Sequence, residues 1–158
     1  EGALLGSYRK IHLFQMLEED RYLKSGSQIK CLETPWGRLG LATCYDLRFP
    51  EIFRRYALEN AEMILLSAEW PAKRIEHWKL LLRARAIENQ VFIAAVNKTG
   101  ISQGAKLGGN SSVIDPMGEI LVQGDDQPGI LIAEIDPEQV RRTRNWMPVF
   151  QDRKPDVY

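Results

Sequence analysis

Between Leu39 and Val96 the chain alternates short apolar runs with segments of helical periodicity, and few architectures accept that alternation. Leu39-Gly40-Leu41-Ala42-Thr43 reads as a short buried strand. From Pro50 to about Asn60, Ile52, Phe53, Tyr56, Ala57 and the aliphatic stem of Arg55 recur at helical spacing. Pro50 suits the first turn of that helix, where its missing N–H is no loss. Met63 to Ser67 is a continuous apolar run, the pattern of a strand covered on both faces. Lys73 to Asn89 predicts a longer amphipathic helix with Ile75, Trp78, Leu81, Leu82 and Ala86 as its apolar stripe. Val91 to Val96 predicts another fully covered strand. Strand, helix, strand, helix, strand is the order of an α/β layered fold.

Around this block the pattern loosens. Tyr8 to Phe14 predicts a strand running into a polar loop, Gln15 to Gln28. Ile29 to Leu32 predicts a short strand, and Thr34-Pro35-Trp36-Gly37 a turn that closes a hairpin with the Leu39 strand. Further on, Ser112 to Ile114, the Asp115-Pro116-Met117-Gly118 turn and Ile120 to Val122 predict a second hairpin, and Ile130 to Ile135 another strand. Asp136-Pro137-Glu138 is a helix start, and the polar tail from Trp146 to Tyr158 is expected to be extended. At 158 residues and 44% hydrophobic content the chain fits one domain with a real core. Lys plus Arg and Asp plus Glu number 21 each, so no basic surface points to nucleic acid and none to an anionic membrane. No apolar run is long enough for a membrane span. Cys31 and Cys44 do not make a disulfide framework, which predicts a soluble, cytoplasmic protein with free thiols.

Chemistry concentrates at Cys44, between the Leu39 strand and the Pro50 helix. A thiol at such a corner lies near the positive end of a helix, where its nucleophilic thiolate is favoured. A free cysteine is also a small buried hydrophobe in many cores, and Cys31, mid-strand beside Ile29, fits that role. Lys10, flanked by Tyr8, Ile11 and Leu13, is either an edge lysine reaching for water or, beside a thiol, a cation for a developing oxyanion. Glu18 and Glu19 are a solvated acidic turn with Asp20 or a support for that lysine. His12 and His77 lie far apart and there is no Cys-x-x-Cys, which leaves a metal site without support. Arg48, Arg83 and Arg85 are expected in internal ion pairs with Asp46, Glu51 or Glu88.

Five segments together resemble one family. They are Tyr8-Arg9-Lys10-Ile11-His12-Leu13-Phe14, Cys44-Tyr45-Asp46-Leu47-Arg48-Phe49-Pro50-Glu51, Arg83 to Gln90, Gly109 to Gly118, and Arg153 to Tyr158. In this order and spacing the chain resembles the nitrilase superfamily of carbon–nitrogen hydrolases, and most resembles the amidase branch that includes the omega-amidases. The resemblance implies an α/β fold that forms the C-terminal part of a four-layer αββα sandwich. It makes residues 1–158 a partial domain lacking the N-terminal portion, and the start at Glu1 without methionine agrees with that expectation.

The resemblance also implies a site. Cys44 takes the nucleophile position and Lys10 the lysine position. The supporting glutamate falls at Glu18 or Glu19, with Glu18 preferred. Tyr45 supplies a backbone N–H to the oxyanion hole, and Glu69 and Trp70, after the Met63 strand, are expected to contact substrate. The family's general-base glutamate lies upstream of the lysine and has no counterpart here. The expected reaction is release of ammonia from a small carboxamide through a Cys44 thioester, with no cofactor, in a homo-oligomer such as a dimer. This chain alone is expected to be inactive. Alternatives are a catalytically dead remnant or oligomerisation partner, and a nitrile or N-carbamoyl substrate.

Overall fold

The computed structural model describes residues 2–157; Glu1 and Tyr158, which belong to two of the expectations above, lie outside the described residues. In chain order the elements are β1 (Leu32–Thr34), β2 (Gly37–Thr43), α1 (Pro50–Leu58), β3 (Met63–Ala68), α2 (Ile75–Asn89), β4 (Phe92–Asn97), β5 (Ile101–Ser102), β6 (Ala105–Lys106), β7 (Ser112–Ile114), β8 (Ile120–Gln123) and α3 (Glu138–Trp146). Short 3-10 turns occupy Gln15–Leu17, Glu19–Arg21, Cys44–Arg48 and Ala72–Arg74.

The main sheet has six strands in the order β1-β2-β3-β4-β7-β8. Its centre, β2-β3-β4, is parallel, joined by the helices that the periodicity predicts; β1–β2 and β7–β8 are antiparallel hairpins, and β7 pairs with β4 antiparallel across the excursion that holds β5 and β6. α1 and α2 cover one face. Ile52, Phe53, Tyr56 and Ala57 of α1 and Trp78, Leu82 and Ala86 of α2 pack with Ala42, Ile64, Leu66, Ile93 and Ala95 of the sheet. Gly40 is required there: a Cβ at this position would stand 2.7 Å from the Tyr56 ring, so the strand approaches α1 only because it has none. Trp78, fully enclosed, fixes α2 to the β7 end by donating from Nε1 to the Asn110 carbonyl at 2.9 Å.

The opposite face corrects the expectation of strands covered on both sides. Register aligns Leu41, Leu65 and Ala94 in one row and Thr43, Ser67 and Val96 in the next. In these rows Leu65, Ser67 and Val96 are exposed, Val96 to 65%. A continuous apolar run therefore reports what the sheet is built to bury, and among the described residues the helices bury only one side of it.

Three further expectations change. Tyr8 to Phe14 is not a strand; its groups bond to side chains rather than to a ladder, as described below. Ile130 to Ile135 forms no strand and is largely solvent-exposed. The tail is turned rather than extended, with Gln151 N–H on the Pro148 carbonyl and Val157 N–H on that of Lys154. Phe150 is its anchor, faced by the guanidinium groups of Arg54 and Arg144. α3 docks through buried Val140 and Thr143, and the Gln90 amide donates to the Met147 carbonyl at 2.8 Å. The turn between β7 and β8 forms as expected, closed by Gly118 N–H on the Asp115 carbonyl with Gly118 at φ 84°. No helix among the described residues is long and apolar enough to cross a membrane.

Candidate active site

The parallel register decides where the site lies. Thr43 at the end of β2 stands beside Ser67 of β3, so Cys44 and the residues after β3 emerge side by side at the carboxyl edge of the sheet. Ligands of open α/β sheets bind at that edge. Cys44 begins the 3-10 turn with φ 47°, a left-handed conformation that a side-chain-bearing residue rarely adopts. Thr43 and Asp46 brace the turn reciprocally as a capping box: the Thr43 side chain accepts from the Asp46 N–H, and Asp46 Oδ2 accepts the Thr43 N–H at 2.9 Å. Tyr45 is the second residue of this turn, so its N–H is among those that a helical turn leaves without an internal partner.

The Tyr8–Phe14 segment folds over the turn because Asp46 holds it. Fully buried, Asp46 accepts from the Tyr8 hydroxyl at 2.7 Å, the His12 N–H at 3.0 Å and His12 Nδ1 at 2.8 Å. The His12 ring stacks on Phe49 at 3.7 Å and 6°. Burial, then the Asp46 carboxylate, drive the Tyr8 hydroxyl far above the usual phenol range, so it stays a donor. Lys10 is carried in with this segment. Its ammonium meets both carboxylate oxygens of Glu19, at 2.8 and 2.6 Å, and Glu19 Oε2 also accepts the Phe14 N–H at 2.9 Å. Of the two candidate glutamates, Glu19 is the one that meets Lys10. Glu18 is the left-handed residue between two 3-10 turns, φ 53°, and its side chain points away to Arg21.

The resting thiol also departs from expectation. α1 begins at Pro50, with the 3-10 turn intervening, and burial pushes the Cys44 thiol above its ordinary value. The Lys10 charge and a hydrogen bond from the Glu69 backbone act the other way, while Glu19 and Asp46 add to the rise. Desolvation is the largest of these effects, so the balance at Cys44 favours the thiol over the thiolate.

Of the residues after β3, the Glu69 side chain is exposed and pairs with Lys98 at 2.8 Å; only its backbone addresses the sulfur. Trp70 is 3% exposed, which corrects its expected place on a substrate surface. Its N–H is taken by Asn97 Oδ1 at 2.6 Å, its indole Nε1 donates to the Arg74 carbonyl at 2.8 Å, and its ring lies against Trp78. The arginines divide. Arg85 pairs with Glu88 as expected and also donates to the Leu47 carbonyl, stiffening the Cys44 turn. Arg83 reaches the Gly118 carbonyl, and Arg48 lies over Trp70 beside His77 rather than on a carboxylate.

Residues 1–145 match the family described as carbon-nitrogen hydrolase. This chain belongs to that family. Among curated relatives, the 2-oxoglutaramate amidase of Bacillus subtilis is 44% identical over 158 residues, all of this chain and 61% of the relative. The NitFhit protein of C. elegans superposes with a TM-score of 0.92 at 35% identity, over 99% of this chain and 40% of that one. An amidase from Nesterenkonia sp. AN1, with acrylamide added at its active-site cysteine, gives 0.78 at 28% identity, over 90% of this chain and 58% of that one. The chain thus spans about three-fifths of the Bacillus relative's length. As in these carbon–nitrogen hydrolase structures, the fold is mixed α/β with a central sheet and helices.

What sequence reasoning missed is Asp46 as the anchor that holds the Tyr8–Phe14 segment on the Cys44 turn. The signal was present as Thr43-x-x-Asp46, the spacing of a reciprocal cap, which marks an acid turned back toward the preceding strand.

Proposed function

We propose that this chain carries the nucleophile and oxyanion site of an omega-amidase-like enzyme that releases ammonia from a small carboxamide. Cys44 sulfur bonds to the amide carbon, and the carbonyl π electrons move onto oxygen. That oxyanion is held by the Lys10 ammonium and the Tyr45 N–H, and Glu19 keeps the lysine charged and aimed. Collapse expels the amine as ammonia, with the proton that left the thiol, and a thioester remains. Water then attacks the thioester carbon, which releases the carboxylic acid and restores the thiol. The Glu69 backbone N–H supports the sulfur whenever it bears charge.

The observation that carries this reading is the Lys10–Glu19 contact set against the left-handed Cys44 turn. A proton acceptor for the thiol is the remaining requirement. Glu19 is committed to Lys10, and Asp46 is closed in by Tyr8, His12 and Thr43, so neither carboxylate serves. The resemblance implies that the base is a glutamate upstream of Lys10 and outside these 158 residues, and the chain by itself is expected to have negligible turnover. Ammonia release from glutaramate, measured on the full-length protein and on the 158-residue chain, tests both statements. The full-length protein is expected to turn over and its Cys44→Ala variant to lose activity by about four orders of magnitude or more. Cys44-dependent turnover by the 158-residue chain alone would overturn the assignment of the base.

A further inference from the structure

We infer that Asn97 is a positioning residue: its buried side-chain amide stands in for a strand partner to Trp70 and thereby holds the Glu69 N–H on the Cys44 sulfur. The effect on turnover rests on the amidase reading above, and the effect on the thiol rests on the hydrogen bonds alone.

The ladder between β3 and β4 ends at the pair Ala68 and Asn97. Just beyond it, the Lys98 N–H donates to the Ala68 carbonyl at 2.9 Å. A trans peptide sets the carbonyl of one residue and the N–H of the next on opposite sides. With the Ala68 carbonyl turned to the β4 side, the Glu69 N–H is turned to the other side, where β2 runs out into Cys44. From there the Asn97 side chain continues the ladder. Its Oδ1 accepts the Trp70 N–H at 2.6 Å, and its Nδ2 donates to the Trp70 carbonyl at 3.2 Å and to the Gly109 carbonyl at 2.8 Å. The amide fits only this way round, because the N–H needs its oxygen and the two carbonyls need its NH2.

Both peptide planes that bound Glu69 are therefore fixed, the first by Lys98 and the second by Asn97. Without the amide the second plane is released, and the first becomes the frayed end of β3. Asn97 is anchored in turn, its own N–H on Ser111 Oγ at 3.0 Å. Because the amide is buried, water does not compete for its bonds. The other groups that act on the sulfur, Lys10, Glu19 and Asp46, reach it from the leading segment or from the Cys44 turn. The Glu69 N–H is the contact that Asn97 governs.

Iodoacetamide alkylation of Cys44 across pH, in the full-length protein, tests the inference. The Glu69 N–H favours the thiolate, so Asn97→Ala is expected to move the Cys44 profile to higher pH and to slow labelling at neutral pH by about threefold to tenfold. With glutaramate, kcat should fall about tenfold while KM stays within about twofold. Ser111→Ala is the comparison. It removes bonds to the Asn97 backbone and keeps the amide, so it should lower stability in denaturant and leave the profile in place. An unmoved profile in Asn97→Ala, or an equal move in Ser111→Ala, overturns the inference. Hydrogen exchange on the unsubstituted protein is read alongside, and it depends on no variant folding. The Trp70 N–H should exchange as slowly as the N–H groups of β3, and fast exchange there would mean that the amide holds nothing. If glutaramate releases no ammonia, the amidase reading fails, and alkylation with exchange decides Asn97.

Discussion

Cys31 and Cys44 carry the same group, and burial pushes both thiols above their ordinary value. Cys31 closes against the core with its sulfur 3.8 Å from the Tyr56 carbonyl, and the nearby Glu59 carboxylate raises it further. Cys44 is opposed by Lys10 and by the Glu69 backbone, and it begins a turn whose backbone is held left-handed. Resting acidity therefore does not separate the proposed nucleophile from a packing residue. What separates them is the set of donors around Cys44, which on the proposed reaction would meet charge that arises only in its course, where electrostatic catalysis acts.

The widest break of this contrast comes from the donors. In the full-length protein Lys10→Ala is expected to cost about two to three orders of magnitude in kcat. Glu19→Gln should follow with about tenfold or more, while Glu18→Gln stays near wild type. Equal effects at the two glutamates would mean that the turn around Glu18 does not set the site. Next in size is alkylation. Iodoacetamide needs the thiolate, so a raised thiol reacts slowly at neutral pH and faster as pH climbs beyond about 8.5, the ordinary thiol value. Cys44 should dominate labelling at every pH, because Cys31 is enclosed. Removing the Lys10 charge, which favours the thiolate, should move the Cys44 profile to still higher pH. Peptide mapping that finds Cys31 labelled as fast as Cys44 would dissolve the comparison. The smallest effect expected is on stability. Asp46→Asn keeps the shape but gives a neutral acceptor and a surplus donor facing Tyr8, His12 and Thr43, and should destabilise by about 1–3 kcal/mol in denaturant unfolding.

The parallel centre of the fold was legible because both of its signals are local. Apolar runs mark β3 and β4, 3.6-residue spacing marks α1 and α2, and each element falls within a few residues of its expected range. Tyr8 to Phe14 was misread because its partner is distant in sequence: alternation suggests a ladder, and the actual bonds go to Asp46, 34 and 38 residues on. Ile130 to Ile135 has strand composition, but composition does not supply a pairing partner. At the site, Cys44 and Lys10 were legible as neighbours from the order of the motifs, and the Lys10 charge acts on the Cys44 sulfur. The choice between Glu18 and Glu19 was not, because it turns on a single left-handed residue that no periodicity records. Trp70 was misplaced because a loop position after a strand says nothing about which way an indole faces.

The Asp46 contacts also bear on how the site comes into being. A carboxylate that gathers donors from residues 8, 12 and 43 spans chain separations that are slow to close, since loop entropy must be overcome before any bond forms. The Thr43 bond is local and is available as soon as β2 and its turn exist. Lys10 and Glu19 arrive only when the leading segment docks on a carboxylate already in place. The Lys10–Glu19 pair is then expected among the last parts of the molecule to assemble on folding and among the first to come undone.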